Sequence, residues 1–248
     1  MIRREEIMKV IHSLCVLFVV FFLGQGFAGE KKIATRFELS YAQTSGNTET
    51  ENISGNFSLE GQFQKNKYIV RSGYLMAKNN HTESANKFNA EIRYERVFTD
   101  RVFGFIESSY LRDRFSGYEY RFSTGPGFGL VVVQKKKHEL KTLLSGRYDF
   151  EKGSVGVSET SSYASAKLAV EYTGKIREHI TLKGKTDYLT SVEEIEKYYI
   201  DVETALEVAL SDQLSIGLRY LVNYQNQVPA LGIKKTDTAF LTSLIVNL

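Results

Sequence analysis

The sequence predicts an all-β protein, a transmembrane antiparallel up-and-down β-barrel of about 12 strands that follows an N-terminal signal peptide. Three observations predict this fold class. The first residues have the features of an export signal, apolar and polar residues then alternate along most of the chain, and the alternating runs are as long as strands that cross a bilayer. After the signal, no apolar stretch is long enough to span a membrane as a helix.

The N-terminal segment has the three parts of a secretory signal peptide. Arg3, Arg4 and Lys9 give a positive region, and an almost unbroken apolar stretch runs from Val10 to Leu23. That stretch is shorter than the roughly 18 residues that a membrane-spanning helix needs. Gly26-Phe27-Ala28 then provides small residues at the positions where a signal peptidase cleaves. We therefore expect the protein to be exported and the signal to be removed.

This interpretation divides the chain into a signal peptide, residues 1–28, and one outer-membrane barrel domain, residues 29–248. Cys15 is the only cysteine and leaves with the signal, so we expect neither a disulfide nor a lipid anchor. The formal net charge falls from +3 to +2, because three basic and two acidic residues leave too. A nearly neutral chain without a basic run gives no reason to expect nucleic acid as a partner.

The alternating runs predict strands that have one apolar and one polar face. In residues 52–63, the six alternate positions from Asn52 to Gln62 are all polar, and such a row cannot face a dry core. The clearest run is residues 198–210, and most runs exceed the about 9–11 residues that a tilted strand needs to cross a bilayer. The predicted strands are 33–44, 52–63, 68–78, 86–97, 102–112, 117–133, 139–150, 160–172, 179–190, 198–210, 214–224 and 237–248.

The predicted connections alternate between short turns and longer, more polar loops. The short ones are residues 64–67, 99–101, 134–138, 173–178 and 211–213. The longer ones include residues 78–85, 151–159, 191–197 and 225–236. Outer-membrane barrels have short periplasmic turns and longer external loops, so we expect both termini on the periplasmic side.

Alternation alone does not distinguish a membrane barrel from a soluble exported β-sandwich, whose apolar face would point into a core. The export signal, the lack of cysteine and the long, regularly spaced strands favour the membrane barrel. A closed meander also leaves no unpaired strand edge in lipid. Tyrosines recur near strand ends on the apolar face, where a membrane protein places an aromatic belt.

The polar face carries both signs of charge, so we expect a hydrated lumen that contains ion pairs. Twelve strands lie between the eight of a barrel filled by its own side chains and the sixteen to eighteen of an open porin. The sequence leaves both a narrow pore and a plugged lumen open.

Several segments resemble one family, the salt-induced outer membrane proteins, also called domain of unknown function 481. They are Leu39-Ser40-Tyr41, the loop Ser45-Gly46-Asn47-Thr48, residues 111–121 with their Arg-Asp-Arg-Phe-Ser-Gly-Tyr run, and Gly125-Pro126-Gly127-Phe128-Gly129. The resemblance covers nearly the whole mature chain. It implies an outer-membrane location, a barrel fold and a link to salt or osmotic stress, but it supplies no substrate and no catalytic residue.

The end of the chain has the pattern of a last barrel strand. Phe240, Thr242, Leu244, Val246 and Leu248 alternate with the residues between them. The last residue is leucine, where barrel proteins usually carry an aromatic residue. We expect this strand to be recognised by the barrel assembly machinery, and the other partners to be outer-membrane lipid and lipopolysaccharide.

The sequence offers little for catalysis. His81, His138 and His179 are the histidines after the signal, and all three fall in predicted turns or loops, where polarity explains them. No metal-ligand spacing or nucleotide-binding motif is present. We expect no enzyme activity, no metal and no cofactor. The glycines from Gly125 to Gly129 lie within a predicted strand, where they allow a bend or close packing of the barrel wall.

One dense charged cluster is a candidate functional site: Arg112, Asp113, Arg114 and Arg121, near the outer ends of the fifth and sixth strands. It is interpreted as a lumen constriction, a lipopolysaccharide contact or a structural network. The sequence thus favours a barrel of unknown substrate, either a narrow pore or a structural protein of the envelope. The alternatives are an enzyme at the outer surface and a lipid-binding barrel.

Overall fold

The computed structural model describes residues 32–44, 50–115, 118–153, 160–228 and 234–248. The predicted signal peptide and the Ser45–Thr48 segment lie outside the described residues. Among the described residues, no helix is both long and apolar enough to cross a membrane. The strands are β1 (Lys32–Thr44), β2 (Thr50–Phe63), β3 (Asn66–Asn79), β4 (Thr82–Val97), β5 (Val102–Asp113), β6 (Tyr118–Lys135), β7 (His138–Gly153), β8 (Thr160–Arg177), β9 (Ile180–Ser191), β10 (Tyr198–Ala209), β11 (Leu214–Gln225) and β12 (Thr236–Asn247).

Each strand pairs antiparallel with the next one in the chain, and β12 returns to pair with β1, so the sheet closes into a barrel. The prediction of an antiparallel up-and-down barrel of twelve strands is confirmed. The connections β2–β3, β4–β5, β6–β7, β8–β9 and β10–β11 lie at one end, which we call the turn end. Lys32 and Leu248 also lie there. The opposite end is called the loop end.

The prediction of a long loop at residues 78–85 is wrong. β3 continues to Asn79 and β4 begins at Thr82, so the connection is the two residues Asn80 and His81. Their φ angles are 46° and 64°, the left-handed conformations that a tight two-residue hairpin requires. The polarity of this segment suggested a loop, but polar residues also continue a strand pair. Similarly, β8 runs to Arg177 rather than ending at residue 172.

The outer surface of the barrel is an apolar band. Large side chains that point outward are substantially exposed along every part of the wall, as Leu39, Phe128, Leu144 and Phe240 illustrate. Tyrosines flank the band: the rings of Tyr188, Tyr198 and Tyr224 form a row at the loop end, with centroids 5.7 and 5.9 Å apart. At the turn end, the Tyr68 and Tyr94 rings are 5.2 Å apart. A closed strand ladder, an apolar exterior and aromatic residues at both edges are the features of a transmembrane barrel.

One side of the interior is filled by an apolar plug near the turn end. The plug consists of Phe103, Phe105, Val131, Leu143 and Ala169, all buried, from β5 to β8. It fits because β6 presents glycines where the two phenylalanine rings lie.

Gly127 and Gly129 are the β6 residues in register with Phe105 and Phe103. A Cβ atom on Gly129 would overlap the Phe103 ring, and one on Gly127 would overlap the Phe105 ring. The glycines also let β6 and β7 approach closely, since a Cβ on Gly125 would lie 2.7 Å from the Arg147 Cα. The structure therefore agrees with the interpretation that these glycines serve close packing of the wall.

We expect Gly129→Val to destabilise the barrel by about 1–3 kcal/mol, because the added side chain overpacks the plug against Phe103. The matched control is Gly184→Val, since a Cβ on Gly184 would meet no atom within 4 Å. The measurement is urea unfolding of the protein refolded in lipid vesicles, followed by the shift between folded and unfolded bands on gels. Equal midpoints for the two variants would contradict this account of the plug.

Candidate functional site

The candidate site is the lumen of the barrel, which contains a cavity of about 1010 Å³. The cavity is lined mainly by β1–β4 and β9–β12, with further lining from parts of β5–β8, and it reaches the loop end, where Ser84, Asp113 and Asp237 line it. The polar face of β2, predicted from its six polar positions, lines it with Asn52, Ser54, Asn56, Ser58 and Glu60. The opposite side of the lumen, at β5–β8, is filled by the apolar plug. The interior is thus open on one side and packed on the other.

Charged side chains line this cavity in nearly equal numbers. Nine are cationic: Arg36, Arg71, Lys87, Arg121, Arg147, Lys167, Lys183, Lys185 and Arg219. Ten are anionic: Glu38, Glu60, Glu91, Asp113, Glu171, Asp187, Asp201, Glu203, Glu207 and Asp237. The lining therefore has almost no net charge, and most of its charges have opposite charges as neighbours.

Some of these charges pair across the lumen rather than along the wall. Arg93 on β4 lies 3.2 Å from Glu171 on β8, and Lys185 on β9 lies 3.6 Å from Glu91 on β4. Three strands separate β4 from β8, and four separate β4 from β9. These side chains therefore reach through the interior to meet. Because Glu171 and Lys185 are also opposite each other in the β8–β9 register, the four side chains form one cross-lumen cluster.

Glu107 on β5 is the most heavily paired carboxylate beneath this cluster. Its side chain is almost completely buried and lies 2.9 Å from Lys167, 3.4 Å from Arg147 and 3.7 Å from Arg93. The Arg93 guanidinium in turn lies 5.8 Å from the centre of the Phe105 ring. The ion pairs thus rest directly on the apolar plug, and together they occlude the β5–β8 side of the lumen.

A second packed network lies toward the loop end, around the buried Glu151. Its carboxylate accepts hydrogen bonds from Tyr163 at 2.6 Å, Tyr199 at 3.1 Å and Lys197 at 2.6 Å. The Arg121 guanidinium lies 4.3 Å from the centre of the Tyr199 ring and 3.7 Å from Glu151. Four strands meet here, so the network joins β6 and β7 to β8 and β10.

A neighbouring carboxylate, Asp149, is fully buried and accepts hydrogen bonds from the hydroxyl groups of Ser123 and Ser165. This compensates for its loss of water.

Near the β1–β12 seam, the lining is held by Glu38 and Glu207. Glu38 accepts hydrogen bonds from Arg219 at 2.5 Å and Ser243 at 2.7 Å. Glu207 lies 2.5 Å from Arg36 and 3.0 Å from Lys183. These pairs lie on the cavity side of the lumen and leave it open.

The structure separates the four residues of the predicted charged cluster. Arg121 lies inside the lumen in the Glu151 network, and Asp113 lines the mouth of the cavity at the loop end. Arg112 is exposed and is in register with the outward-facing Phe88, so it points away from the lumen. Arg114 follows β5 in the connection and lies 3.4 Å from Glu83. Adjacent strand residues face opposite sides of the wall, which explains why Arg112 and Asp113 part.

The alternation along β4, β8 and β9 places Glu91, Arg93, Glu171 and Lys185 on the polar face of their strands but does not show that they meet. The alternation assigns each side chain to the lumen and carries no information about which strand it faces. Only closure of the barrel, with its particular stagger, sets that distance.

The three histidines lie in or beside turns, as predicted. His81 is in the two-residue turn of the β3–β4 hairpin and His179 is in the β8–β9 turn. His138 begins β7, where its Nδ1 lies 2.9 Å from the Tyr172 hydroxyl. Within the described ranges, no group of three or more histidine, cysteine or acidic side chains has the geometry to hold a metal ion.

Comparison with known proteins gives the family and several distant barrels. A family described as protein of unknown function, DUF481, matches residues 37–248. The uncharacterized protein YdiY of Escherichia coli strain K12 is 22% identical over 221 residues, which cover 88% of this chain and 84% of that protein.

The similar solved structures include the NanC porin, with 11% identity, 87% of this chain and 98% of that chain covered, and a TM-score of 0.48. The translocator domain of the autotransporter NalP from Neisseria meningitidis has 12% identity, covers 98% and 96% of the two chains, and gives a TM-score of 0.46. The KdgM porin has 10% identity, covers 86% and 96%, and gives 0.41. The fold assignment rests on the strand pairing, because these identities and TM-scores are low.

We expect Glu107→Gln to destabilise the barrel by about 3–5 kcal/mol, because it leaves Lys167 and Arg147 buried without their shared carboxylate. The control is Glu139→Gln, whose partially exposed pair with Lys141 is 2.7 Å long and should contribute about 1 kcal/mol or less. Urea unfolding midpoints in lipid vesicles measure both effects. A Glu107→Gln midpoint equal to that of the control would show that Glu107 does not anchor the network.

Proposed function

The chain belongs to the DUF481 family, and we propose that it is an outer-membrane channel of low conductance for small polar solutes. The observation that carries the proposal is the asymmetric lumen. A cavity of about 1010 Å³ runs along one side, and the plug and cross-lumen ion pairs fill the other. This leaves a passage much narrower than the aqueous channel of larger porins.

The proposed location rests on the barrel exterior. The apolar band and the aromatic residues at its two edges match the requirements of a bilayer, and the predicted signal peptide would direct the chain out of the cytoplasm. We propose that the turn end faces the periplasm, as short turns do in bacterial barrels.

The preferred solute is proposed from the balance of charge. A solute of one sign that enters the cavity meets like charges as often as opposite ones, so it gains little net attraction. An uncharged or zwitterionic solute can instead hydrogen-bond to both kinds of group, and to the amide and hydroxyl groups of β2. We therefore propose weak ion selectivity and a preference for small uncharged or zwitterionic molecules.

The narrowest part is proposed to be the cross-lumen cluster of Glu91, Arg93, Glu171 and Lys185. The proposed constriction therefore differs from the charged cluster that the sequence suggested, Arg112, Asp113, Arg114 and Arg121. Of those four residues, Arg121 also faces the lumen. A role in salt or osmotic stress, as a pore or as a structural protein, is part of the proposal and rests on the family resemblance alone.

The test is single-channel conductance of the purified protein in a planar bilayer. We expect small, discrete steps in the wild type and a severalfold larger conductance in the double variant Glu171→Ala/Lys185→Ala. This change removes one charge of each sign from opposite positions of the β8–β9 ladder, so the net charge stays constant while the passage widens. Arg112→Ala is the control, because that side chain points outward, and its conductance should equal that of the wild type.

Arg121→Ala in the same series measures how much the Glu151 network contributes to the constriction. A folded barrel that is silent in both the wild type and the double variant would overturn the channel proposal and favour a structural role.

We propose that the partners of the protein are outer-membrane lipid, lipopolysaccharide and the barrel assembly machinery. Arg112 lies at the loop end of the outer surface, where its guanidinium is placed to contact lipopolysaccharide phosphate groups. We propose that β12 carries the signal for the barrel assembly machinery.

We also propose that the protein is not an enzyme, and this rests on the positions of the histidines in turns. Surface hydrolysis would require an activated nucleophile, for which His81 is the candidate. If a lipid or peptide hydrolase activity were found, and if His81→Ala abolished it without unfolding the barrel, the proposal would fail.

A further inference from the structure

The seam between β1 and β12 has the shortest strand ladder of the described residues. The two strands pair only from Arg36 to Ser40 with Ser243 to Asn247, five residue pairs. A hydrogen-bonded pair between Thr35 and Leu248 extends the seam at the turn end. In the described residues, every other neighbouring pair of strands has eleven or more residue pairs.

Both strands continue toward the loop end without pairing with each other. Residues 42–44 of β1 pair with β2, and residues 239–241 of β12 pair with β11, but the ladders in the described part of the chain do not join these two segments. Ala42 occupies an inward position and is nevertheless exposed. These facts describe a lateral gap in the barrel wall on the loop-end side of the seam.

A gap of this kind is costly in lipid, because strand edges there carry backbone groups that lipid cannot satisfy. Barrels close in order to remove such edges. The shortened seam is therefore a candidate route between the membrane and the lumen.

The interior beside the gap differs in character from the rest of the cavity. Leu221, Ala239 and Leu241 line it on the β11–β12 side, whereas the polar Asn52 and Ser54 of β2 line it on the other side. Nearer the loop end, Lys87 on β4 donates a hydrogen bond to Asn223 on β11 at 3.0 Å, and Asn223 donates one to Asp201 at 2.6 Å. An apolar patch next to the membrane thus adjoins a polar region with charges of both signs.

We infer that the gap admits a single-chain amphiphile from the membrane, with its aliphatic chain on the apolar patch and a zwitterionic head at Lys87, Asn223 and Asp201. The anionic part of the head would face Lys87, and its cationic part would face Asp201. The aliphatic chain gains little by moving from lipid to the apolar patch, because both surroundings are apolar. The specificity therefore comes from the head group in the polar part of the lumen. The inference goes beyond the proposed channel and does not require ion flow.

The experiment uses lysophosphatidylcholine with a spin label near the end of its chain, added to the full-length protein in phosphatidylcholine vesicles. We expect an immobilised component in the spectrum that saturates and that unlabelled lysophosphatidylcholine displaces. Leu221→Trp fills the apolar patch and should remove this component. Leu206→Trp, which places the same side chain on the lipid-facing side of the neighbouring strand, should leave it unchanged.

Two disulfide variants test the gap without filling the apolar patch, as Leu221→Trp does. Ser40→Cys/Ser243→Cys joins the strands where they already pair and should leave binding intact when oxidised. Ala42→Cys/Leu241→Cys closes the gap when oxidised and should abolish binding, with recovery on reduction. An immobilised component that is absent from the wild type, or equal in all variants, would overturn the inference.

Two further outcomes are distinguishable. If the oxidised Ala42→Cys/Leu241→Cys variant changed a dimer to a monomer while binding stayed equal, the gap would be an interface between two copies and the inference would be wrong. Conductance is measured separately, so a silent barrel that binds the probe overturns only the channel, and a conducting barrel that does not bind it overturns only this site.

Discussion

Lipid offers no hydrogen-bond partner to a backbone N–H or C=O group, and this constraint determines the rest of the molecule. It requires the twelve strands to pair around a closed circuit, and closure gives each strand one face toward lipid and one toward the lumen. The outward face then has to be apolar. The charges of the sequence are directed inward, where they can be stabilised only by water, by each other or by polar side chains.

The inward-facing charges are stabilised differently on the two sides of the lumen. Along β5–β8, glycines on β6 make room for phenylalanine rings, and the buried carboxylates above them share cations or accept hydrogen bonds from hydroxyl groups. Along β1–β4 and β9–β12, amide, hydroxyl and charged groups line open space. A circle of twelve strands encloses more area than one layer of side chains fills, and filling only one side leaves a passage on the other.

The sequence was sufficient to predict the strands, their number and the face on which each residue lies, because a period of two is a local property. The prediction of a long loop around Asn80 and His81 was the main local error. The polarity of this segment suggested a loop, but two residues with left-handed φ angles close a tight hairpin there. The pairing of Arg93 with Glu171 and of Lys185 with Glu91 could not be predicted, because it depends on the stagger of the closed sheet. The short β1–β12 seam likewise depends on how the two ends of the sheet meet, and it leaves no trace in the alternation.

The one-sided filling of the lumen also has a mechanical consequence. The β5–β8 wall is braced from within by packed rings and by ion pairs that span from β4. The wall at the β1–β12 seam has the shortest ladder of the described residues, and it is held by ion pairs of Glu38 and Glu207 without a packed apolar plug beside it. A cylinder built in this way has a stiff side and a compliant side. Lateral tension in the membrane would therefore flatten the barrel along one fixed axis, and the strain would concentrate at the seam.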